Sequence, residues 1–205
     1  YQTYLSKKEI IMLVDITRTL NSNIYTYPGD PKFSLKTICD INSAGFNVSQ
    51  ISMGSHCGTH VDAPKHFFGD LNGISDINLN TLCGKAFIAD VSSLKNVDRN
   101  FLNGLNFSLF DIFILKTKNK DIFLTLNGAQ ELISKKIKAV GTECFDIEDE
   151  KITGFSVHKT LLKAQVPIIE GLKLDGIKSG IYKFYCFPLK VENCDGAPAR
   201  AAVEM

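Results

Sequence analysis

With 205 residues, 44% of them hydrophobic and 22% charged, the chain has room for one sizeable core and the make-up of an ordinary globular domain. Lys plus Arg is 23 against 22 for Asp plus Glu, a net charge of +1, which argues against a nucleic-acid or anionic-membrane surface. No apolar run approaches the roughly 20 residues that span a bilayer.

Taken in chain order, β-branched and apolar runs predict strands near 11–17, 33–39, 46–53, 85–92, 111–117, 137–142, 182–191 and 199–204. Ala129–Lys136 and His158–Gln165 read as helices, the second with Ser156 as its N-cap and Pro167 just past its end. Turns are expected at Pro28-Gly29-Asp30-Pro31, Gly69-Asp70 and Asp195-Gly196. Many strands and few helices predict an α/β or α+β fold with a large mixed sheet in one domain. Met12 is a candidate initiator, which would make residues 1–11 an N-terminal extension and 12–205 the domain. Six cysteines without a C-x-x-C pair read as free thiols. With no export signal, the cytoplasm is the expected compartment.

The chemistry concentrates in one stretch. Three of the four histidines, His56, His60 and His66, fall within eleven residues, with Asp62 between them. In an extended segment these even-numbered positions would share a face. A straight strand would hold His56 and His60 about 13 Å apart, too far for one ion, so a bend is expected at Gly58. Two imidazoles and a carboxylate suit zinc, with manganese or iron as alternatives, and three protein ligands leave a position open for water. Cys57, at an odd position, should point away.

From His56 to His66 the chain reads H-x-G-T-H-x-D-x-P-x-H. In this it resembles the metal-dependent cyclase-like hydrolase family, which includes bacterial kynurenine formamidases and isatin hydrolase. Asp15-Ile16-Thr17, Tyr27-Pro28-Gly29-Asp30-Pro31, Ala139-Val140-Gly141, His158 through Glu170-Gly171-Leu172, and Asp195-Gly196-Ala197-Pro198-Ala199-Arg200-Ala201 extend the likeness over almost the whole chain. The resemblance implies a swivelling β/β/α fold and hydrolysis of a small amide, formamide or lactam. It implies one or two divalent ions, with His56, His60 and Asp62 on the first, and Asp62, Glu170 and His158 on a second. His66 would be the general acid/base, and a homodimer or larger homo-oligomer is implied. Two departures stand out: Tyr27 replaces the formamidases' Trp as the expected substrate-facing ring, and Glu143 and Asp146 replace Asp and Ser of a G-x-D-x-x-S-x-D segment expected near the substrate.

The mechanism expected of these residues is water activated by the ion, with His66 passing a proton to the leaving nitrogen. Three alternatives remain: a metal-binding sensor or carrier without turnover, a metal-dependent lyase or cyclase, and a Cys57 nucleophile. Phe67 and Phe68 are expected to pack in the core rather than flank a substrate.

Overall fold

The computed structural model describes residues 11–205. Apart from Ile11, the candidate extension 1–11 lies outside the described residues. Among the described residues, ten strands and five short helices follow one another. They are β1 (Leu13–Asp15), β2 (Ser34–Cys39), α1 (Ile41–Ala44), β3 (Val48–Ser52), β4 (His60–Asp62), β5 (Cys83–Asp90), α2 (Arg99–Asn103), β6 (Ile112–Lys116), α3 (Leu126–Ser134), β7 (Ala139–Thr142), α4 (Glu150–Thr153), α5 (Ser156–Lys163), β8 (Ile168–Glu170), β9 (Gly180–Pro188) and β10 (Gly196–Glu204). All eight strand regions read from the sequence contain a strand. β4 and β8 are three residues each, too short for a periodic signal; the extended reading of the histidine stretch foreshadowed β4, and the resemblance foreshadowed β8.

The main sheet runs β1-β10-β4-β8-β7-β6-β5-β9, and β9 also pairs with β10. That extra pairing closes seven strands into a mixed barrel, with β1 hung on the far half of β10. β5 to β8 are parallel neighbours; the remaining pairs are antiparallel.

Strand parity divides the core in two. Ile112 and Ile114 of β6 point into the barrel with Val61, Ala86, Ile88, Ile169 and Phe184. Phe113 and Leu115 point outward, where they pack with Leu132 of α3 and Val157 and Leu161 of α5. The same alternation sets the site: Val61 of β4 and Ile169 of β8 face inward, so His60, Asp62 and Glu170 face outward. Asp62 stands opposite Ile168, and His60 directly opposite Glu170.

Both predicted helices exist, each shifted toward the N-terminus. Thr125 caps α3 by accepting from the Gly128 amide. Ser156 is not the N-cap of α5 but its first residue; the cap position is Phe155, whose φ of 62° is left-handed. A phenylalanine held there costs about 1–2 kcal/mol, and its ring forms part of the cavity wall described next.

Candidate metal centre and its cavity

The four-histidine face expected from parity is only partly a strand. His60 and Asp62 lie on β4, but His56 lies in the turn that leads into it and His66 sits in a 3-10 turn that begins at Pro64. Pro64 fixes that turn's first φ, and the turn carries His66 back toward the site. Gly58 supplies the expected bend at φ 69°, and a Cβ there would lie 2.7 Å from Leu20. The bend brings the His56 and His60 ring centroids to 5.1 Å. Cys57 is buried, which pushes its thiol up and leaves it a poor nucleophile.

Two buried carboxylates form the centre, and all three imidazoles of the expected ligand set converge on them. Asp62 Oδ1 lies 2.8 Å from His56 Nδ1 and 3.3 Å from His60 Nε2, and Oδ2 lies 3.6 Å from His158 Nε2. Glu170 faces the same pair, 3.4 Å from Nε2 of His60 and 3.4 Å from Nε2 of His158. Two sets of mutually close donor atoms meet at Asp62: His56, His60 and Asp62, and Asp62, His158 and Glu170; a third, His56, His66 and Asp195, lies beside them.

Each imidazole is held from behind. His60 Nδ1 donates to the Gly58 carbonyl at 2.9 Å. His158 Nδ1 donates to Glu148 at 2.7 Å, and Glu148 also accepts from the Val157 and His158 amides. His56 Nε2 lies 2.9 Å from Asp195 Oδ2. These outer partners fix ring orientation and tautomer, leaving the inner nitrogen to face the carboxylates. Gly196 is required here, because a Cβ would lie 2.9 Å from the His56 ring.

The charges suit a cation. Burial pushes Asp62 up, yet the His56 and His60 imidazoles outweigh it and hold the carboxyl well below its usual range. Burial and the nearby Asp62 charge push Glu170 up, and bonds from His158 and His60 bring it below its ordinary value. Burial would push the histidines down; the carboxylates instead lift His56 to about 9 and His60 to about 10, and Glu148 with Glu170 lifts His158 well above its ordinary value. Negative charge buried this deeply demands positive charge beside it. Nitrogen and carboxylate oxygen donors at these spacings fit a divalent metal.

The centre lies in a cavity of about 590 Å³, a normal size for a small-molecule site. Tyr27 reaches its rim, its hydroxyl 3.4 Å from Glu150. Phe67 lines the cavity and packs edge-on against His66 at 4.6 Å; the core-only expectation holds for Phe68 but not for Phe67. His66 is on the wall, its Nδ1 3.4 Å from Asp195 Oδ2 and its ring 4.1 Å from that of His56. The two residues of the second departure separate. Asp146 lines the cavity, and burial together with the Glu170 charge pushes it up to about 8. Glu143 turns away and accepts from the Thr117 and Lys118 amides.

The sequence profile of the family described as "Putative cyclase" matches residues 14–149. The kynurenine formamidase of Bacillus cytotoxicus is 30% identical over 200 residues, spanning 93% of this chain and 96% of that protein. The chain belongs to the cyclase family. A solved family structure, titled as a "predicted metal-dependent hydrolase" from Bacillus stearothermophilus, matches at a TM-score of 0.81 and 29% identity, covering 95% of this chain and 98% of that one. Isatin hydrolase A from Labrenzia aggregata shares the fold, at a TM-score of 0.83 and 19% identity over 95% of this chain and 94% of its own.

Two residues that shape this cyclase-family site were not singled out from the sequence: Glu148 and Asp195. Their contacts to His158 and His56 cross 10 and 139 positions. No local spacing reports such pairs. Among the described residues, no helix is long and apolar enough to cross a membrane.

Proposed function

We propose that the protein is a metal-dependent hydrolase that cleaves the C–N bond of a small amide, formamide or lactam. The observation that carries this is the buried cluster of three back-anchored imidazoles and two carboxylates opening into a cavity with a fourth histidine on its wall. The kinship with kynurenine formamidases supports the bond type.

In this reading His56, His60 and Asp62 would hold one divalent ion, and Asp62, His158 and Glu170 would hold a second. Zinc suits the donors best, with manganese the next choice. When bound, the metal supplies Lewis acidity to water and to the substrate carbonyl. The chain's own residues do the rest. Asp195 accepts at the Nδ1 side of His66, so Nε2 of that ring is the atom that exchanges a proton, first taking one from water and then giving it to the leaving nitrogen. Phe67 and Phe155 keep water from one side of the cavity.

Metal analysis with an activity screen on N-formylkynurenine, small lactams and esters tests the assignment. Turnover abolished by a chelator and restored by a divalent ion is expected. Retained metal with no turnover across the panel would favour a ligand sensor or carrier. The family's description also favours a second reading, a lyase or cyclase. Incorporation of oxygen-18 from water into product separates the two.

Glu148 anchors His158 through a charge-assisted bond, and that partner bond holds its carboxyl down to about 2 against the opposing effect of burial. Glu148→Gln weakens the anchor without emptying the space. Removing such an outer partner costs about 10–100-fold in metal affinity, read by titration against a competing chelator. Unchanged affinity would remove His158 from the ligand set.

Tyr27 stands at the rim rather than beside the carboxylates, so its ring is proposed to bind ground state and transition state alike. Tyr27→Ala is expected to raise KM more than it lowers kcat on the best substrate. Identical kinetics would exclude the ring from substrate binding.

A further inference from the structure

Charge is distributed on one side of the metal cavity's balance. Beyond the carboxylates of the centre and its anchors, Asp30 and Asp146 line it, and no lysine or arginine does. Two basic side chains touch its rings from outside. Arg18 lies over Phe145 at 4.8 Å, with its guanidinium donating to the Gly171 and Glu143 carbonyls. Lys159 lies 5.8 Å from Phe67 and donates to the Gly154 carbonyl. Neither lines the cavity.

The local fold gathers acidic groups beside aromatic rings. The Pro28-Gly29 turn, closed by the Asp30 amide on the Tyr27 carbonyl at 3.0 Å, brings both Tyr27 and Asp30 to the cavity. Tyr25 packs on Phe145 with ring centroids 4.8 Å apart. Asp146 follows Phe145 in the chain, and its carboxylate accepts from the Glu148 amide at 2.9 Å. Tyr25, Tyr27, Phe145 and Asp146 also line an adjoining cavity of about 640 Å³, to which Glu150 belongs. Burial, and then the charges of Asp146 and Glu150, push the Tyr25 and Tyr27 hydroxyls up, so two phenol rings and two carboxylates share one neighbourhood. After burial, the charged side chains that act most on Asp146 are Glu170, His158 and Glu150; none is a lysine or arginine.

Such a wall recognises an organic ammonium. Ring faces attract a cation through their quadrupole, and the carboxylates attract it by charge. The same wall discriminates against a carboxylate on the substrate, which would meet like charge there. A divalent ion at the centre repels an ammonium, so the cationic group must be carried away from the scissile carbonyl, on the side where Tyr27 forms the rim.

We propose that the substrate is an amide or formamide that carries an ammonium group and no carboxylate, the ammonium being held by Asp146 and Glu150 and by the Tyr25 and Tyr27 rings. The hydrolase reading underlies only the bond that is cut; the charge of the substrate follows from the wall.

Three ortho-substituted formanilides with side chains of equal length, ending in ammonium, methyl or carboxylate, test it on the metal-loaded protein. The ammonium compound is expected to exceed the methyl compound in kcat/KM by about 10-fold or more, mostly through KM, and the carboxylate compound to fall below both. Asp146→Asn keeps an acceptor for the Glu148 amide and is expected to cut the ammonium-to-methyl ratio by at least 5-fold. Glu150→Gln, on the short α4, is expected to cut it in the same direction. A second measurement needs no turnover: calorimetry should show phenethylammonium binding at least 10-fold tighter than phenethyl alcohol, with the preference lost in Asp146→Asn. Turnover of none of the three formanilides would sink the hydrolase reading, and the binding preference would then decide the charge proposal by itself. Equal kcat/KM for the ammonium and methyl compounds, a ratio unchanged in both variants, or equal binding of the amine and the alcohol would each overturn it.

Discussion

His60→Ala is expected to strip most of the bound metal and to lower kcat/KM by about 10³-fold or more, which matches the several kcal/mol that a Lewis acid supplies. His60 lies close to both carboxylates through one nitrogen, 3.3 Å from Asp62 and 3.4 Å from Glu170, and it is 2% exposed. Its Nδ1 is committed to the Gly58 carbonyl, so Nε2 has no other task. Without the ring, two buried carboxylates lose a shared partner, and a lower Tm should accompany the loss of metal. His60→Gln keeps a polar side chain of similar volume and guards against simple unfolding. Metal per folded chain is the deciding measurement. Full occupancy in either folded variant would sink the proposed ligand set.

The barrel was legible where apolar runs were continuous. Ile112–Lys116 and Ala139–Thr142 lie in such runs, read as buried strands, and are strands. The closure of β9 on β10 was not legible, because register between residues such as Ala201 and Cys186 leaves no mark on either segment. At the site, parity was right for His60 and Asp62, which share the outward face of β4. It claimed too much for His56 and His66, which arrive by a glycine bend and a proline-initiated turn. Those two residues converge through tertiary packing, which parity does not describe.

The outer anchors show the same limit. Glu148 and Asp195 are ordinary acidic residues in sequence, yet one fixes the tautomer of His158 and the other sits between His56 and His66. Hydrogen-bond geometry around a centre is set by the elements that carry it, here the bend before α4 and the residue that leads into β10. The resemblance to the cyclase family did place His158 and Glu170 in advance. Read alone, they would have passed as a helix residue and a strand residue.

His66→Ala is expected to keep the metal and lose about 10²–10⁴-fold in kcat, the usual size of a general acid–base contribution. The geometry separates His66 from the imidazoles that face the carboxylates. No atom of His66 pairs with Asp62 or Glu170; its charged neighbour is Asp195, at 3.4 Å. It is the most exposed of the four histidines, at 29% of its side chain, so it can trade a proton with substrate or solvent while the others stay enclosed. His66, His56 and Asp195 do lie close enough together to hold an ion among themselves, and the variant decides between the two roles. Metal lost with His66→Ala makes the residue a ligand and removes it from proton transfer. Metal retained with near-normal rate makes it a wall residue, and the proton must then pass through Glu170. Metal retained with a slow reaction, and one limb missing from the pH–rate profile, is the result that the site's geometry favours. Asp195→Asn offers an independent check: it loosens both His56 and His66, so it should reduce metal affinity and rate together, whereas His66→Ala reduces the rate alone.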